Sequence, residues 1–439
     1  MAEKFTNYKC IACGGPMAFD ANTGKLKCEY CDSLYTVEEV KARYEKENKE
    51  IIEDAADVKD EYFNVADGMK AYQCKSCGAE MVTDPTTAAT SCPYCGNTAI
   101  IPQQMDKMMK PRYVIPFKID KEGAKGKLKE YCKGKKLLPG TFTNSSHIDE
   151  IKGVYVPFWL YSGIVEAECQ YDAEISEEKR TQTEKITTTK HYDVKRKGTV
   201  TFNYIPTDAS ESMPDDLMDS IEPYDYKDLT RFEMEYLLGF IADQYDVDAE
   251  ESKKRARKRA EASAVEEAEK TVKNYSSVDE KEQLRKIVYK SEKEEYAMLP
   301  VWLLSTKWNN QNFLFAVNGQ TGEMTGNLPV DRTKQIIRDL LWFIPIALII
   351  SILSHFSTTG IITGVVIGLI VALIANSIMV GSMKPVRKKE YARSYVKEMA
   401  GGVRINLSVK EDTYINTTVK KEPINNGSNT ASTANNAKK

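Results

Sequence analysis

Two long apolar runs with a short break between them limit the fold of this chain more than any other feature. The first covers about 17 residues, Leu340 to Phe356, and the second about 23, Ile361 to Met383. As helices they reach roughly 25 and 34 Å, close to the ~30 Å hydrocarbon thickness of a bilayer. Neither run contains Asp, Glu, Lys or Arg. The break is too short to hold a domain, so the runs are expected to form a hairpin whose outer ends share one side. Lys334 and Arg338 flank its start. Lys384, Arg387, Lys388, Lys389 and Arg393 follow its end, and the tip from Ser357 to Gly360 has no base. Positive charge at both outer ends marks them as cytoplasmic. The competing reading is a buried helical hairpin, but a soluble core helix ordinarily keeps a polar face.

The rest of the chain reads as ordinary folded protein. Of 439 residues, 28% are charged and 42% hydrophobic, and the net charge is -3. The length allows about three domains at ~150 residues each. A slightly acidic balance argues against a general nucleic-acid binder. The opening MAEKFTNYKC has no apolar segment to carry the N-terminal part across a membrane. Cysteines in such a cytosolic head are expected to be metal ligands rather than disulfides.

Eight of the ten cysteines form a repeat. Cys10, Cys13, Cys28 and Cys31 recur 64 positions later as Cys74, Cys77, Cys92 and Cys95, each set reading C-x2-C-x14-C-x2-C. A C-x-x-C turn can aim two thiolates at one ion, and two turns complete a tetrahedral site with Zn–S near ~2.3 Å. Gly14, Gly78 and Gly96 follow three of the turns, where positive φ is needed; Asp32 takes the fourth place. The spacing is that of a zinc ribbon, used twice. Four protein ligands leave no open position, so both zinc ions are expected to be structural. Metal binding can then supply an apparent ~10–16 kcal/mol to modules too small to fold alone. Redox sensing by the thiolates and an iron site of the rubredoxin kind are the alternatives. Lys4, Lys9, Lys25 and Lys27 balance Glu3, Asp20, Glu29 and Asp32 in the first ribbon. Lys70 and Lys75 balance Glu80 and Asp84 in the second. Neither has the excess cation that phosphate binding requires, which favours protein contact over nucleic acid.

Between the ribbons, Thr36-Val-Glu-Glu39 reads as a capping box. It opens a helical spacer or a simple charged linker. From Pro111 to about Pro329 strands and helices alternate, giving an α+β body. Tyr113–Phe117, Val154–Tyr171 and Tyr192–Ile205 read as strands and Lys121–Lys133 as a helix. Pro157-Phe-Trp-Leu-Tyr-Ser162 is echoed by Pro300-Val-Trp-Leu-Leu-Ser305. On a strand, Trp159 and Tyr161 share a face, as do Trp302 and Leu304. Two core strands in similar roles, a duplicated half-domain and a tryptophan-lined pocket remain open. The acidic stretch 208–228 reads as a solvated connector. The helix expected over 248–273 carries the basic run Lys253–Arg259, which would face solvent or anionic lipid. Asn318-Gly319 signals a hairpin turn. Gly364 and Gly368 form G-x-x-x-G, a face for packing on the first apolar helix or on another copy of the chain. Residues from about Thr417 onward, rich in Asn, Thr, Ser and Lys, are expected to be disordered.

No G-x-x-x-x-G-K-[ST], H-E-x-x-H or G-x-S-x-G motif occurs. His147, His191 and His355 are scattered, and Cys132 and Cys169 read as buried thiols. No catalytic residue is assigned.

The paired ribbons, the segments PFWLYSG, PVWLLSTKW and FAVNGQTGE, and the terminal apolar hairpin together resemble a family of bacterial membrane proteins. It goes by the labels "TFIIB-type zinc ribbon-containing protein" and "PriA-helicase-like". The likeness covers most of residues 1–390. Some of its relatives resemble partners of phage-shock-protein-A and flotillin-like (SPFH) membrane-stress systems. The helicase label implies ATP-driven unwinding, for which this chain has no phosphate loop. The resemblance therefore carries over the eight cysteines as zinc ligands and nothing catalytic.

The expected architecture is multidomain: two small four-cysteine zinc ribbons, an α+β body with mostly antiparallel strands, and a C-terminal transmembrane helical hairpin. The boundaries are ribbon 1–36, helical linker 37–62, ribbon 63–102, body 103–330, hairpin with basic flanks 331–400 and low-complexity tail 401–439. The expected function is a non-enzymatic, membrane-anchored adaptor with two structural Zn2+ ions. It contacts the lipid bilayer and protein partners at the cytoplasmic face, with self-association through the apolar helices open. A membrane-tethered nucleic-acid regulator and an enzyme built on the α+β body are the alternatives.

Overall fold

A computed structural model describes residues 10–13, 15–40, 62, 69–83, 91–98, 100–103, 109–148, 150–383 and 405–423. The spacer between the ribbons from residue 41 to 61, the basic stretch after Met383 and Gly401-Gly402 lie outside these residues. Thr36 and Glu39 do form the expected capping box. The Thr36 N–H donates to Glu39 Oε2 at 2.8 Å and the Glu39 N–H to Thr36 Oγ1 at 3.1 Å.

The chain divides into two compact units. One comprises Met1–Ser162, Asn203–Arg259 and Lys293–Gly402; the other comprises Gly163–Phe202, Ala260–Glu292 and Val403–Lys439. In chain order the elements begin with β1 (Met17–Asp20), β2 (Lys25–Cys28) and β3 (Leu34–Tyr35), a small antiparallel sheet around the first four cysteines. Next come β4 (Lys70–Cys74), β5 (Glu80–Thr83), β6 (Ile100–Gln103), β7 (Tyr113–Val114), α1 (Lys121–Cys132) and the short α2 (Ser145–Ile148). The long strands β8 (Lys152–Arg180) and β9 (Glu184–Asp208) precede α3 (Asp215–Ile221), β10 (Thr230–Arg231), β11 (Ile241–Asp243) and α4 (Ala249–Glu269). Then follow β12 (Ser277–Glu280), β13 (Lys286–Trp308), β14 (Gln311–Asn318) and β15 (Met324–Gly326). The helices α5 (Arg332–Leu353) and α6 (Thr358–Met383) and the strand β16 (Ile405–Pro423) complete the described chain.

The main sheet runs β10-β7-β13-β8-β11-β5-β4-β6, with β14 and β15 branching from β13. Of its ladders, β7–β13 and β11–β8 are parallel. Those of β10–β7, β11–β5, β13–β14, β14–β15, β4–β5 and β4–β6 are antiparallel, in keeping with the expected class. The second cysteine set does not form a separate module. Its strand β5 pairs with β11 at Ile241–Asp243, so the segment expected as a free ribbon is part of the body's sheet.

In the first unit β8 and β13 bury both faces. Tyr155, Trp159, Trp302 and Leu304 point into one core, with Leu128 of α1 and Phe19 of β1. Val156, Phe158, Val301 and Leu303 point into the other, with Leu217 and Ile221 of α3. A strand covered on both sides reads as a continuous apolar run rather than an alternating one. The two tryptophans are indeed core residues, 7% and 6% exposed. Each also satisfies its indole N–H: Trp159 Nε1 donates to the Val247 carbonyl at 2.9 Å and Trp302 Nε1 to Ile119 at 2.8 Å.

The hairpin turn expected at Asn318-Gly319 is present, between the antiparallel β14 and β15, and another tight turn precedes it. The tight β13–β14 connection is made by Asn309 and Asn310, both at positive φ, between the paired Trp308 and Gln311. Asn318-Gly319 instead opens a longer turn closed by the Asn318 N–H to the Glu323 carbonyl, with the positive φ at Gly322. Gly319 is required for close approach, since a Cβ there would lie 2.6 Å from the Phe117 ring.

In the second unit β9 alternates cleanly from Val194 to Phe202. Val194, Arg196, Val200 and Phe202 are buried, while Lys195 and Lys197 on the other face pair with Glu168 and Glu166. The expectation of disorder from Thr417 onward fails as far as Pro423. There β16 pairs antiparallel with Glu184–Val200, with irregularities at Ser408 and Ile415. Its polar composition reflects a strand whose side chains are nearly all exposed, while its backbone is satisfied by β9. The buried Arg196 holds it, donating to Asp412 Oδ1 at 2.6 Å and to the Glu411 carbonyl at 3.1 Å. Residues 424–439 lie outside the described part.

The helices α5 and α6 pair closely. Asp331 caps α5, accepting from the Thr333 and Lys334 N–H groups. The G-x-x-x-G face packs on α5 of the same chain: a Cβ on Gly364 would meet the Ala347 carbonyl at 2.9 Å, and one on Gly368 the Phe343 carbonyl at 3.1 Å. Little of either helix is buried, 6% of the most apolar stretch of α5 and 17% of that of α6.

Candidate metal centres

All four C-x-x-C turns fold alike. The first cysteine of each donates its N–H to the carbonyl five residues on, at 2.8 Å for Cys10, 2.9 Å for Cys28 and Cys74 and 2.8 Å for Cys92. In the last three turns the residue after the second cysteine donates back to the first cysteine's carbonyl. Those residues, Asp32, Gly78 and Gly96, have φ of 57°, 82° and 66°. This is the left-handed backbone that the glycine pattern predicts, and Asp32 adopts it too. Gly14 lies outside the described residues. Further N–H groups, from Ala12 and Tyr30, point at Cys10 and Cys28 Sγ from 3.4 Å, as donors to thiolate sulfur should.

The turns bring the predicted ligands together in two groups. Within each, the four Sγ atoms lie within 4.8 Å of one another. The shortest separations are 3.4 Å (Cys13–Cys28) and 3.5 Å (Cys10–Cys31) in the first, and 3.6 Å for Cys74–Cys95 and Cys77–Cys92 in the second. These are far too long for disulfides at ~2.05 Å. They match the roughly 3.8 Å edge of a tetrahedron with metal–sulfur bonds near ~2.3 Å. Each group could therefore hold a metal ion. The thiols of the two groups shift in opposite directions: burial raises Cys77 to about 11 and Cys92 as well, while hydrogen bonds from Ser33 lower Cys31 to about 6, and Cys74, despite its burial, is lowered to about 7 by the Cys77 and Ser76 N–H groups. Cys132 and Cys169 stand apart, buried, their thiols raised to about 11 by that burial. They are ordinary inert thiols.

The two centres differ in surroundings. In the second, Cys74, Cys92, Cys95 and Tyr94 join the body's core. Tyr94 turns its hydroxyl toward the buried Asp243. Asp243 accepts from Ser210 Oγ at 2.6 Å, and burial raises its carboxyl to about 7. Lys152 braces the site through the Ser91 carbonyl and hydroxyl. In the first centre the residue 64 positions earlier, Tyr30, is exposed and lies over Gly15.

The acidic stretch, read as a solvated connector, and the basic helix, read as facing solvent or anionic lipid, are partners. Arg255 donates to Asp208 Oδ1 and Asp219 Oδ1, both at 2.6 Å, and lies 3.0 Å from Asp215. Arg259 donates to Glu222 Oε2 at 2.9 Å and to the Pro206 carbonyl at 2.6 Å. Asp208, Asp219, Glu222 and Arg259 are all buried. Desolvation raises Asp208 to about 7 and Glu222 to about 8 against the pull of the arginines. The network joins α4 to α3 and the end of β9. A signal for it existed in the sequence: Arg255 and Arg259 share a helix face, as i and i+4.

His147 stands between Thr306 and Glu150, Nε2 2.7 Å from Thr306 Oγ1 and Nδ1 3.0 Å from Glu150 Oε2. The order resembles a hydrolytic triad. Thr306, however, is 1% exposed, so a substrate has no approach to its hydroxyl. The three residues tie α2 to β13.

Among curated proteins, one from Bacillus subtilis (strain 168) named "Uncharacterized protein YdjG" is 35% identical over 328 residues, which is 75% of this chain and 91% of YdjG. The chain belongs to the YdjG family. No family model matches it. No solved structure matches it either.

Proposed function

We propose that this member of the YdjG family is a membrane-anchored scaffold. Two structural zinc ions stiffen its zinc ribbons, and protein partners dock at the cytoplasmic face. The observation that carries the reading is the exposure of α5 and α6, an apolar pair that water would not tolerate bare. Connectivity supports a hairpin rather than a single crossing. Strand β9 precedes α5 with no long apolar helix between them, and β16, after α6, pairs with β9. The chain that leaves on α5 therefore returns on α6 to the side it left. Basic residues at those ends favour the cytoplasmic side.

For the metal, four thiolates in tetrahedral spacing suit zinc, and a closed S4 set supports a structural role. The zinc lends folding free energy and no reaction step. The resemblance to membrane-stress families suggests SPFH-type or phage-shock-type proteins as the partner class. The test is a detergent extract of membranes carrying the full chain. The expected results are retention in membranes through carbonate washing, two zinc ions per chain, and partners lost on Cys28→Ser or Cys92→Ser. Release by carbonate, absence of metal, or partner binding indifferent to both cysteine changes would each refute the corresponding part.

A further inference from the structure

We propose that α1 and the loop after it are a docking surface for anionic phospholipid headgroups. Between Lys118 and Lys136 the chain carries eight lysines against three acids. Tertiary structure, not sequence proximity, sets this segment beside the apolar hairpin. The Asp331 N–H donates to the Leu137 carbonyl at 2.9 Å and Lys334 Nζ to the Leu138 carbonyl at 2.6 Å. Leu137 and Leu138 are buried, 1% and 3% exposed, so the join is packed. It is reinforced by Tyr131, whose hydroxyl donates to the Gly326 carbonyl at 2.8 Å.

The join brings two basic clusters together about 200 residues apart in sequence. Lys129, Lys133 and Lys136 are exposed on one side of it. Arg332, Lys334 and Arg338 occupy the first two turns of α5 on the other. The acids of the two segments, Asp120, Glu122, Glu130, Asp331 and Asp339, are outnumbered by their lysines and arginines. The basic run of α4, by contrast, turns Arg255 and Arg259 inward onto carboxylates and offers no such surface.

A cationic patch at the start of α5 faces the plane of headgroups if α5 and α6 span a bilayer. The inference rests on the membrane reading above. Each cation near an anionic surface strengthens contact by about fivefold, so three exposed lysines supply on the order of a hundredfold. The effect fades with added salt, beyond the Debye length. Phosphate is the recognised group, and the occupant is the bilayer rather than free phosphate, because the patch adjoins the anchor.

The test uses the full chain in nanodiscs of phosphatidylcholine alone, or with roughly a third phosphatidylglycerol, and follows amide exchange over residues 121–140. The expected result is exchange at least tenfold slower in the anionic discs, with the slowing lost in high salt. It is also lost in Lys129→Gln/Lys133→Gln/Lys136→Gln and kept in the control Lys254→Gln/Lys258→Gln. Equal exchange in both discs overturns the inference while leaving the anchor intact, as does slowing that survives the triple change. Inorganic phosphate producing the same slowing in neutral discs would assign the patch to a soluble anion instead, and also overturns it. A chain that enters neither disc refutes the membrane reading itself.

Discussion

Replacing Arg259 with methionine removes the cation from a place where Glu222 has no contact with water. Glu222 is 0% exposed and Arg259 3%. The change deletes the charge-assisted bond to Glu222 Oε2 at 2.9 Å and the bond to the Pro206 carbonyl at 2.6 Å, leaving both acceptors buried. Stranding one member of a buried ion pair costs about 3–5 kcal/mol. Arg255 still holds Asp219 at 2.6 Å, which places the expected loss toward the lower figure. Amide exchange in α3 and the first half of α4 should quicken roughly a hundredfold or more. The pH dependence has a definite sign. Burial, working against Arg259, raises Glu222 to about 8 in the folded chain, above its ordinary range near ~4.5. A carboxyl raised on folding favours the folded state at low pH and loses that advantage as pH climbs toward the folded value. Without Arg259 the folded value climbs further, so the deficit should be level from pH 5 to about 7 and grow as pH rises through about 8, where only the unmodified chain ionises Glu222. Glu222→Gln in the same background should recover much of the loss, since an amide needs no cation. A cost under about 1 kcal/mol, a deficit flat with pH, or no recovery by glutamine would refute the argument.

Three further outcomes are expected. Gly364→Leu should cost about 1–3 kcal/mol by overpacking α5 against α6, while Gly381→Leu, with open space around it, should be near neutral. Spin-label distances between the helices in detergent would show the difference. Trp159→Phe should cost about 1–3 kcal/mol in denaturant unfolding, because the Val247 carbonyl loses its indole donor. Arg196→Met should free β16, seen as fast exchange across 405–423. The Arg196 bond holds Asp412 below the usual carboxylate range, so in the unmodified chain β16 should also loosen as pH falls through that depressed value. The variant should lose this acid dependence.

The exposed apolar helices and the eight clustered cysteines were legible in sequence because each depends on local rules. Residue spacing along a C-x-x-C turn determines where the sulfurs go, down to the positive φ at Asp32. Helix length and the lack of charge are likewise properties of a continuous run. Charged segments were not legible in the same way. A lysine or arginine can lie in solvent, against carboxylates or at a lipid surface, and only long-range packing selects among these. Arg255 and Arg259 were turned inward by acids 36 to 47 residues away. The tail strand 405–423 lacked an apolar face to betray it, and its order comes from an edge of β9 more than 200 residues earlier. The G-x-x-x-G face allowed a partner in the same chain or in another copy until the Gly364–Ala347 approach placed it within one hairpin. Composition and spacing thus determined which groups can bind metal and which helices are long and apolar enough to span a bilayer. The pairing of distant strands and charges was decided by the tertiary structure, because backbone edges and buried ions take whichever complement the fold brings near.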